Sequence, residues 1–306
     1  MDTRKLKYFL AVVDHDGFNR AAEHLLIAQP SLSQTVASLE RDLGVPLFHR
    51  IGRRAVLSEA GKALVGPARL VMRDLDAAQA AAQSLRGART GRVDIVSMPS
   101  PGVEPLTSMI AGFTQLHPHI RLNVSAAFTP EEVIESVRSG STEIGLAGSP
   151  EPIRVPGVEV LELERQPLIL IVNPEADSFG PRAAIQREDL GGQRLVASQR
   201  GSLMRWFVDD ALARGVDAEI VVEVAHRTSI LPLVLAGVGH AVMPSSWAPV
   251  AHRSGLRTLL IEPVSQLDVA ILSRKTDLTP GAVAFLGVAQ QYAASAGSAG
   301  DSPDDS

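Results

Sequence analysis

The segment from Ala21 to Ser58 constrains the fold most. It sets two short helical patterns, a tight turn, a glycine stop and a basic ribbon in one run, AAEHLLIAQPSLSQTVASLERDLGVPLFHRIGRRAVLS. Ala21, Ala22 and Leu25 form the apolar face of a short helix, and Ile27-Ala28-Gln29 predicts a turn into a second helix beginning near Pro30. Two short helices joined so briefly predict a helix-turn-helix. In the second helix Leu32, Val36, Leu39 and Leu43 recur at gaps of 4, 3 and 4, which places one stripe against a core. The opposite face then carries Gln34, Ser38 and Arg41, with Gln29, Ser31, Ser33 and Thr35 near the N-terminal end, and none of these is acidic. Side chains at that end of such a helix usually meet base edges in the major groove.

Gly44 suits the position just past a helix end, and Leu47-Phe48 returns apolar anchors to the core. Arg50, Arg53 and Arg54 surround Gly52 and read as a basic wing. Arginines beside a duplex neutralise phosphate or enter the minor groove.

The string as a whole resembles the N-terminal domain of LysR-type transcriptional regulators. The resemblance is carried by Ala21-Ala22, Gln29-Pro30, Ser33, Leu39-Glu40, Leu43-Gly44, Leu47-Phe48, Arg50 and Arg53-Arg54, with Ser58-Glu59-Ala60-Gly61 in place of a more usual Thr-x-x-Gly. It implies a winged helix-turn-helix that binds double-stranded DNA.

A formal net charge of −5 opposes nucleic acid only if the charge is spread evenly, and it is not. Residues 1–90 hold 13 Lys and Arg against 9 Asp and Glu, whereas residues 91–306 hold 16 against 25. A modest basic module on an acidic body fits a DNA reader whose remaining mass does something else. The chain of 306 residues predicts two or three domains. Its lack of cysteine removes disulfides, thiolate metal sites and cysteine nucleophiles. No run approaches the roughly 18 apolar residues of a membrane span, and nothing at the N-terminus reads as a signal peptide, so a cytoplasmic protein with no membrane partner is expected.

From Ser58 to about Arg86 a long helix is predicted, in which Leu64, Ala68, Val71, Leu75, Ala78, Ala82 and Leu85 alternate gaps of 4 and 3. This heptad seam points to a partner helix, most simply that of a second subunit, despite Pro67. The resemblance implies a linker helix and dimerisation at this place, in a homodimer or homotetramer.

Beyond Gly91 the chain alternates strand and helix. Strands are predicted at Val93–Ser97, Ile120–Ala126, Glu143–Ala147, Val158–Leu163, Leu168–Val172, Arg194–Ser198, Glu219–Val224, His240–Met243 and Leu267–Ser273. The last helix is placed at Pro280–Ala293. The pattern predicts α/β layering with parallel strands. The resemblance implies a clamshell of two α/β subdomains, like a periplasmic binding protein. The expected division is a winged helix-turn-helix over 1–58, a linker helix over 59–88 and an effector-binding domain over 91–294. Within that domain, 91–160 and 268–294 form subdomain one and 161–267 subdomain two. The tail 295–306 lacks apolar residues able to offset ordering entropy and is expected to be disordered.

Ligands of open α/β sheets lie beyond the carboxyl ends of strands, where helix N-termini present backbone donors to anions. Four loops meet that description, at Ser97–Gly102, Ala127–Thr129, Ser198–Ser202 and Ala225–Thr228. They nominate Ser100, Thr129, Arg200, Gly201, Ser202 and Thr228 as contacts for a small-molecule effector, with a carboxylate the favoured group. Ser100 fits an ordinary turn serine equally well, Thr129-Pro130-Glu131-Glu132 is also a capping box, and Arg200 could equally point outward. No metal spacing, cofactor fingerprint, nucleophile elbow or P-loop is found, so no enzyme is expected. The reading is a DNA-binding regulator with a small anionic effector. The alternatives are an architectural DNA binder without effector response, or an enzyme with an accessory DNA-binding domain.

Overall fold

The computed structural model describes residues 2–51, 54–84, 91–176, 178–276 and 278–299. At the N-terminus α1 (Thr3–Asp14), α2 (Phe18–His24) and α3 (Gln29–Leu43) are followed by a two-stranded wing, β1 (Phe48–Ile51) and β2 (Arg54–Leu57), paired antiparallel. Leu32, Val36 and Leu39 are buried against Tyr8, Val12, Ala21 and Ala22 on one side and against Leu6, Phe9 and Leu47 on the other. Leu43, expected to extend this stripe, is exposed instead. The chain reverses at Gly44, whose φ of 74° is left-handed, and Leu47 occupies the core in its place.

Glu40 explains how the wing is attached. Its Oε1 accepts the backbone N–H of Leu47 at 2.7 Å and of Phe48 at 3.2 Å, so one carboxylate satisfies two donors where the chain leaves the helix. Ser58 then donates to the Pro46 carbonyl at 2.6 Å and accepts from Gly61 N–H at 2.9 Å, capping α4 (Glu59–Ser84) against the wing. A Cβ at Gly61 would stand 2.2 Å from the Leu47 carbonyl oxygen, so that glycine is required by close approach.

α4 is 26 residues long, about 39 Å at the usual rise per residue. Its first turns serve the head itself. Ala68 is only 1% exposed against α1, and Leu64 packs into the same cluster. Those two positions of the predicted seam therefore face their own chain, whereas Val71 is 40% exposed. Ala78 is exposed too, and Leu85 lies outside the described residues. Arg69 donates to Asp14 of α1 and to Ser141, which ties head and body together through α4.

The body contains β3 (Gly91–Ser97), α5 (Pro99–Val103), α6 (Leu106–Leu116), β4 (Ile120–Ala126), α7 (Pro130–Arg138), β5 (Ile144–Ser149) and β6 (Val158–Val172). After these come β7 (Ala184–Gln186), β8 (Arg194–Ser198), α8 (Leu203–Ala213), β9 (Glu219–Val224), α9 (Ile230–Leu235), β10 (Ala241–Pro244), α10 (Ala248–Arg253), β11 (Arg257–Glu262), β12 (Gln266–Arg274) and α11 (Pro280–Ala299). β3 pairs parallel with β4 and β5, and β8 parallel with β9. The parallel pairing expected for the first three strands therefore holds, whereas β12 runs antiparallel to both β5 and β6, and β10 and β11 both run antiparallel to β6. The chain returns between halves through extended strands, and a direct return reverses strand direction.

β6 is one strand, where two were predicted. Its first part pairs with β12, from Val158 opposite Arg274 to Pro167 opposite Gln266, and its last part, from Leu168, pairs with β10 and β11. Two halves thus share β6 and the β11 to β12 connection. One core lies under α6 and α11 around Phe113 and Phe285, and others surround Phe207 and Trp247. α11 continues to Ala299, so the expected disordered tail is helical at its beginning, where Ser295 donates to the Gln291 and Tyr292 carbonyls.

Candidate functional site: the recognition helix and the cleft

The polar face of α3 stands out from the head. Ser31 and Gln34 are exposed, and Gln29, Ser33, Thr35 and Ser38 are half-buried. Gln29 Nε2 donates to Ser33 Oγ at 2.8 Å and Thr35 Oγ1 donates to the Ser31 carbonyl at 2.9 Å, so three of these side chains are held in place by the helix itself. The Gln34 side chain has no hydrogen-bond partner among the described residues, which leaves its amide free for a base edge. The wing backbone sets Arg50 opposite Ala55 and Arg54 opposite Ile51, while Arg53 lies outside the described residues.

The second site is a cavity of about 460 Å³. Met98, Pro101, Pro130 and Gly148 line it from the first half, and Gly201, Ser202, Leu203, Met204, Trp206 and Arg227 from the second. Leu267, where the chain crosses back, lies between them; a Cβ at Gly148 would stand 2.5 Å from its Cδ2, so the absent side chain leaves room for this wall. The volume suits a small metabolite.

The six residues nominated from sequence do not all meet there. Gly201 and Ser202 line the cavity, and Ser202 also caps α8 by accepting from Arg205 N–H at 3.2 Å. Thr129 caps α7, accepting from Glu132 N–H at 3.2 Å, and sits beside the cavity through Pro130. Arg200 and Thr228 are exposed and outside the lining. Ser100 is fully buried, and its Oγ accepts from Arg227 Nη1 at 2.8 Å and from Trp247 Nε1 at 3.3 Å. Both donors belong to the other half, so this hydroxyl joins the two halves behind the cavity.

Arg227 is the residue that sequence reasoning passed over. It stands at the start of a short 3-10 turn, Arg227–Ser229, that precedes α9. Burial pushes its guanidinium down to about 10, which still leaves it a cation at neutral pH. No sequence spacing marks it, because its partner Ser100 is 127 positions away.

Arg205 shows the opposite arrangement nearby. It is 5% exposed, donates from Nε to Asp209 at 2.7 Å and also pairs with Glu223 of β9. The hydrogen bonds it donates to Asp209 and then Glu223 raise its pKa above the ordinary arginine value. It braces α8 against β9 and so fixes the second wall. Among the described residues no helix is long and apolar enough to cross a membrane.

Comparison with known proteins matches both the head and the body. The chain matches the bacterial regulatory helix-turn-helix protein, lysR family, over residues 3–62 and the LysR substrate binding domain over residues 86–294. The HTH-type transcriptional regulator IlvR of Caulobacter vibrioides is 28% identical over 285 residues, covering 92% of this chain and 94% of that protein. An HTH-type transcriptional regulator of Shigella flexneri, YfeR, is 28% identical over 278 residues, covering 89% and 87%. Among solved structures, full-length CbnR complexed with its target DNA aligns with a TM-score of 0.68 at 23% identity, covering 96% of this chain and all of that one. A full-length OxyR from Pseudomonas aeruginosa aligns at 0.69 and 22%, covering 95% and 94%. These two likenesses show the shared fold. With a helix-turn-helix head and a two-halved body both matched, the chain belongs to the LysR family of transcriptional regulators and is a DNA-binding regulator with an effector-binding domain.

Proposed function

We propose that a small molecule held between the two halves of the body changes how the heads engage DNA. In this reading Gln34 and Ser31 reach base edges, supported by Gln29, Ser33, Thr35 and Ser38, while Arg50, Arg53 and Arg54 meet phosphate or the minor groove. Two chains pair along α4 from Val71 onward, through Leu75, Ala78 and Ala82, with Leu85 the next position of the seam in sequence, which sets two heads on two half-sites. A homodimer, or a pair of them as a tetramer, acts on DNA in the cytoplasm. Gly201 and Ser202 contact the effector, with Thr129 at the cavity edge and Ser100 acting through Arg227.

The observation that carries this reading is the cleft. Its walls come from both halves, which are joined by two extended crossings, so an occupant touches both and favours one relative arrangement. An occupant with equal affinity for every arrangement would change nothing. α4 transmits the change, because Arg69 bonds to head and body at once.

The test is fluorescence anisotropy with labelled DNA from the region upstream of the protein's own gene, run with and without metabolites that raise the thermal midpoint. A compound that occupies the cleft is expected to shift DNA affinity or the length of the footprint. If it leaves both unchanged, effector and DNA binding are uncoupled and the reading fails.

A further inference from the structure

The cleft holds a cation that the fold does not neutralise. An arginine presents five N–H donors, and Arg227 spends one on the uncharged hydroxyl of Ser100. It has no carboxylate partner among the described residues. Two other arginines of this half that are withdrawn from solvent do have one: Arg205 lies between Asp209 and Glu223, and Arg187 meets Asp210 at 2.6 Å. A cation withdrawn from water without a counter-charge costs folding free energy, and burial accordingly depresses the pKa of Arg227. Arg227 also lines the cavity. A cleft whose wall carries an arginine without a carboxylate partner among the described residues is arranged for an anion that comes from outside.

The rest of the wall restricts which anion. Met98, Leu203, Met204 and Leu267 offer apolar surface, so an ion without a hydrocarbon body leaves most of the space unfilled. Glu151 and Asp209 are the acidic members of the lining. Asp209 is already paired with Arg205, so Glu151 is the acid left to oppose an incoming anion, and it repels a phosphate dianion more than a single carboxylate.

We propose that Arg227 is the anion anchor of the cleft, holding the carboxylate of a monocarboxylic effector through a two-pronged hydrogen-bonded pair, with the effector's apolar body against Met98, Leu203, Met204 and Leu267. This rests on the reading that the cleft is the effector site. The paired geometry follows from the planar fork of the guanidinium. The same arginine is bonded across to Ser100, so the carboxylate is received at the contact that joins the halves, where its arrival bears directly on their spacing.

The experiment titrates the full-length protein with three probes, 4-methylpentanoate, its uncharged amide and inorganic phosphate, by calorimetry and by tryptophan fluorescence. Trp206 lines the cavity and is 61% exposed, whereas Trp247 is buried, so a signal abolished in Trp206→Phe locates binding in the cleft. The carboxylate is expected to bind the wild type roughly 10- to 100-fold more tightly than the amide, as for a hydrogen bond to a charged group, and more tightly than phosphate. Arg227→Met and Arg227→Gln should each reduce the carboxylate to the affinity of the amide and leave the amide where it was. Both variants should unfold no earlier than wild type, since each removes an uncompensated charge. Equal binding of acid and amide in the cleft of the wild type overturns the anchor and leaves the cleft reading standing. So does an acid preference that survives in both variants. The absence of heat and quenching with every probe at millimolar concentration overturns the anchor and the cleft reading together.

Discussion

The recognition helix and the cleft are built with opposite connectivity. α3 presents its polar face from 15 consecutive residues, and its exit is fixed by Glu40 reaching Leu47 and Phe48 seven and eight positions on. The cleft is assembled from partners far apart: Ser100 meets Arg227 at a separation of 127 positions and Trp247 at 147. The first arrangement is held by contacts within one short stretch of chain, which suits the proposed reading of base edges. The second depends on how two halves are placed, so whatever alters the placement alters the site. Rigidity belongs at the DNA and adjustability at the ligand.

The strongest way to break this comparison is to separate the chains while leaving both regions intact. Val71→Asp together with Leu75→Asp would bury charge without partners if these positions face a second α4. DNA binding should fall by more than about 100-fold, because two linked heads bind with a shared effective concentration. Cleft titration should be unaffected. Light scattering measures the mass directly, and an unchanged mass would remove the α4 seam from the dimer.

Damage at either region should stay there. Glu40→Ala leaves two backbone N–H groups without their acceptor and is expected to cost about 1 to 3 kcal/mol in the head, lowering DNA affinity with no change in probe binding. Arg205→Met removes the brace between α8 and β9. Because Asp209 and Glu223 are about half exposed and screened by solvent, about 1 to 3 kcal/mol is expected, with loss of probe binding and retention of the head's fold. Differential scanning calorimetry with both titrations checks the pair. If either variant disabled both activities, the regions would form one cooperative unit and the contrast would collapse.

The contrast also decides what the sequence could reveal. The head was legible because its signals are local: the stripe of Leu32, Val36 and Leu39, the stop at Gly44 and the Ser58-Glu59-Ala60-Gly61 motif all lie within 30 residues of one another. In the body β4, β8 and β9 run between their predicted ends, since each is a short run of strand formers bounded by loops. β6 was divided because Arg165-Gln166-Pro167 interrupts its apolar pattern. In the fold Gln166 is buried and donates to the Glu104 carbonyl at 2.9 Å, and Pro167 sits where the strand passes from one pairing partner to the next. α10 and β11 carried too little periodicity to be foreseen at six residues each. Arg227 stood in one of the four nominated loops, yet its role was hidden for a different reason. Its significance lies in what it lacks, a carboxylate neighbour, and only the folded chain shows which neighbours a residue has.

A finer test within the head concerns Gln34. Gln34→Ala should cost about 1 to 3 kcal/mol of discrimination at one base pair and much less on random duplex. Competition binding against single-base operator variants resolves it. Equal losses on specific and random DNA would place Gln34 on the backbone rather than on a base.

The smallest expected effect is the most informative about the cleft. Ser100 Oγ accepts from both Arg227 and Trp247 and is fully buried, so it touches the effector only if the halves move. Ser100→Ala takes one acceptor from two donors while removing little volume. With Arg227 no longer held toward the first half, 4-methylpentanoate should bind about threefold to tenfold more weakly, corresponding to about 0.5 to 1.5 kcal/mol for a buried hydrogen bond. The amide should be indifferent, and DNA affinity without a ligand should persist. The same substitution made in the Arg227→Met background separates positioning from contact. If Ser100 acts through the arginine, the second change adds nothing, because the interaction it supports is already gone. A further loss of carboxylate affinity in the double variant would mean that Ser100 meets the ligand itself, and that the halves close around an occupant beyond the spacing described for them.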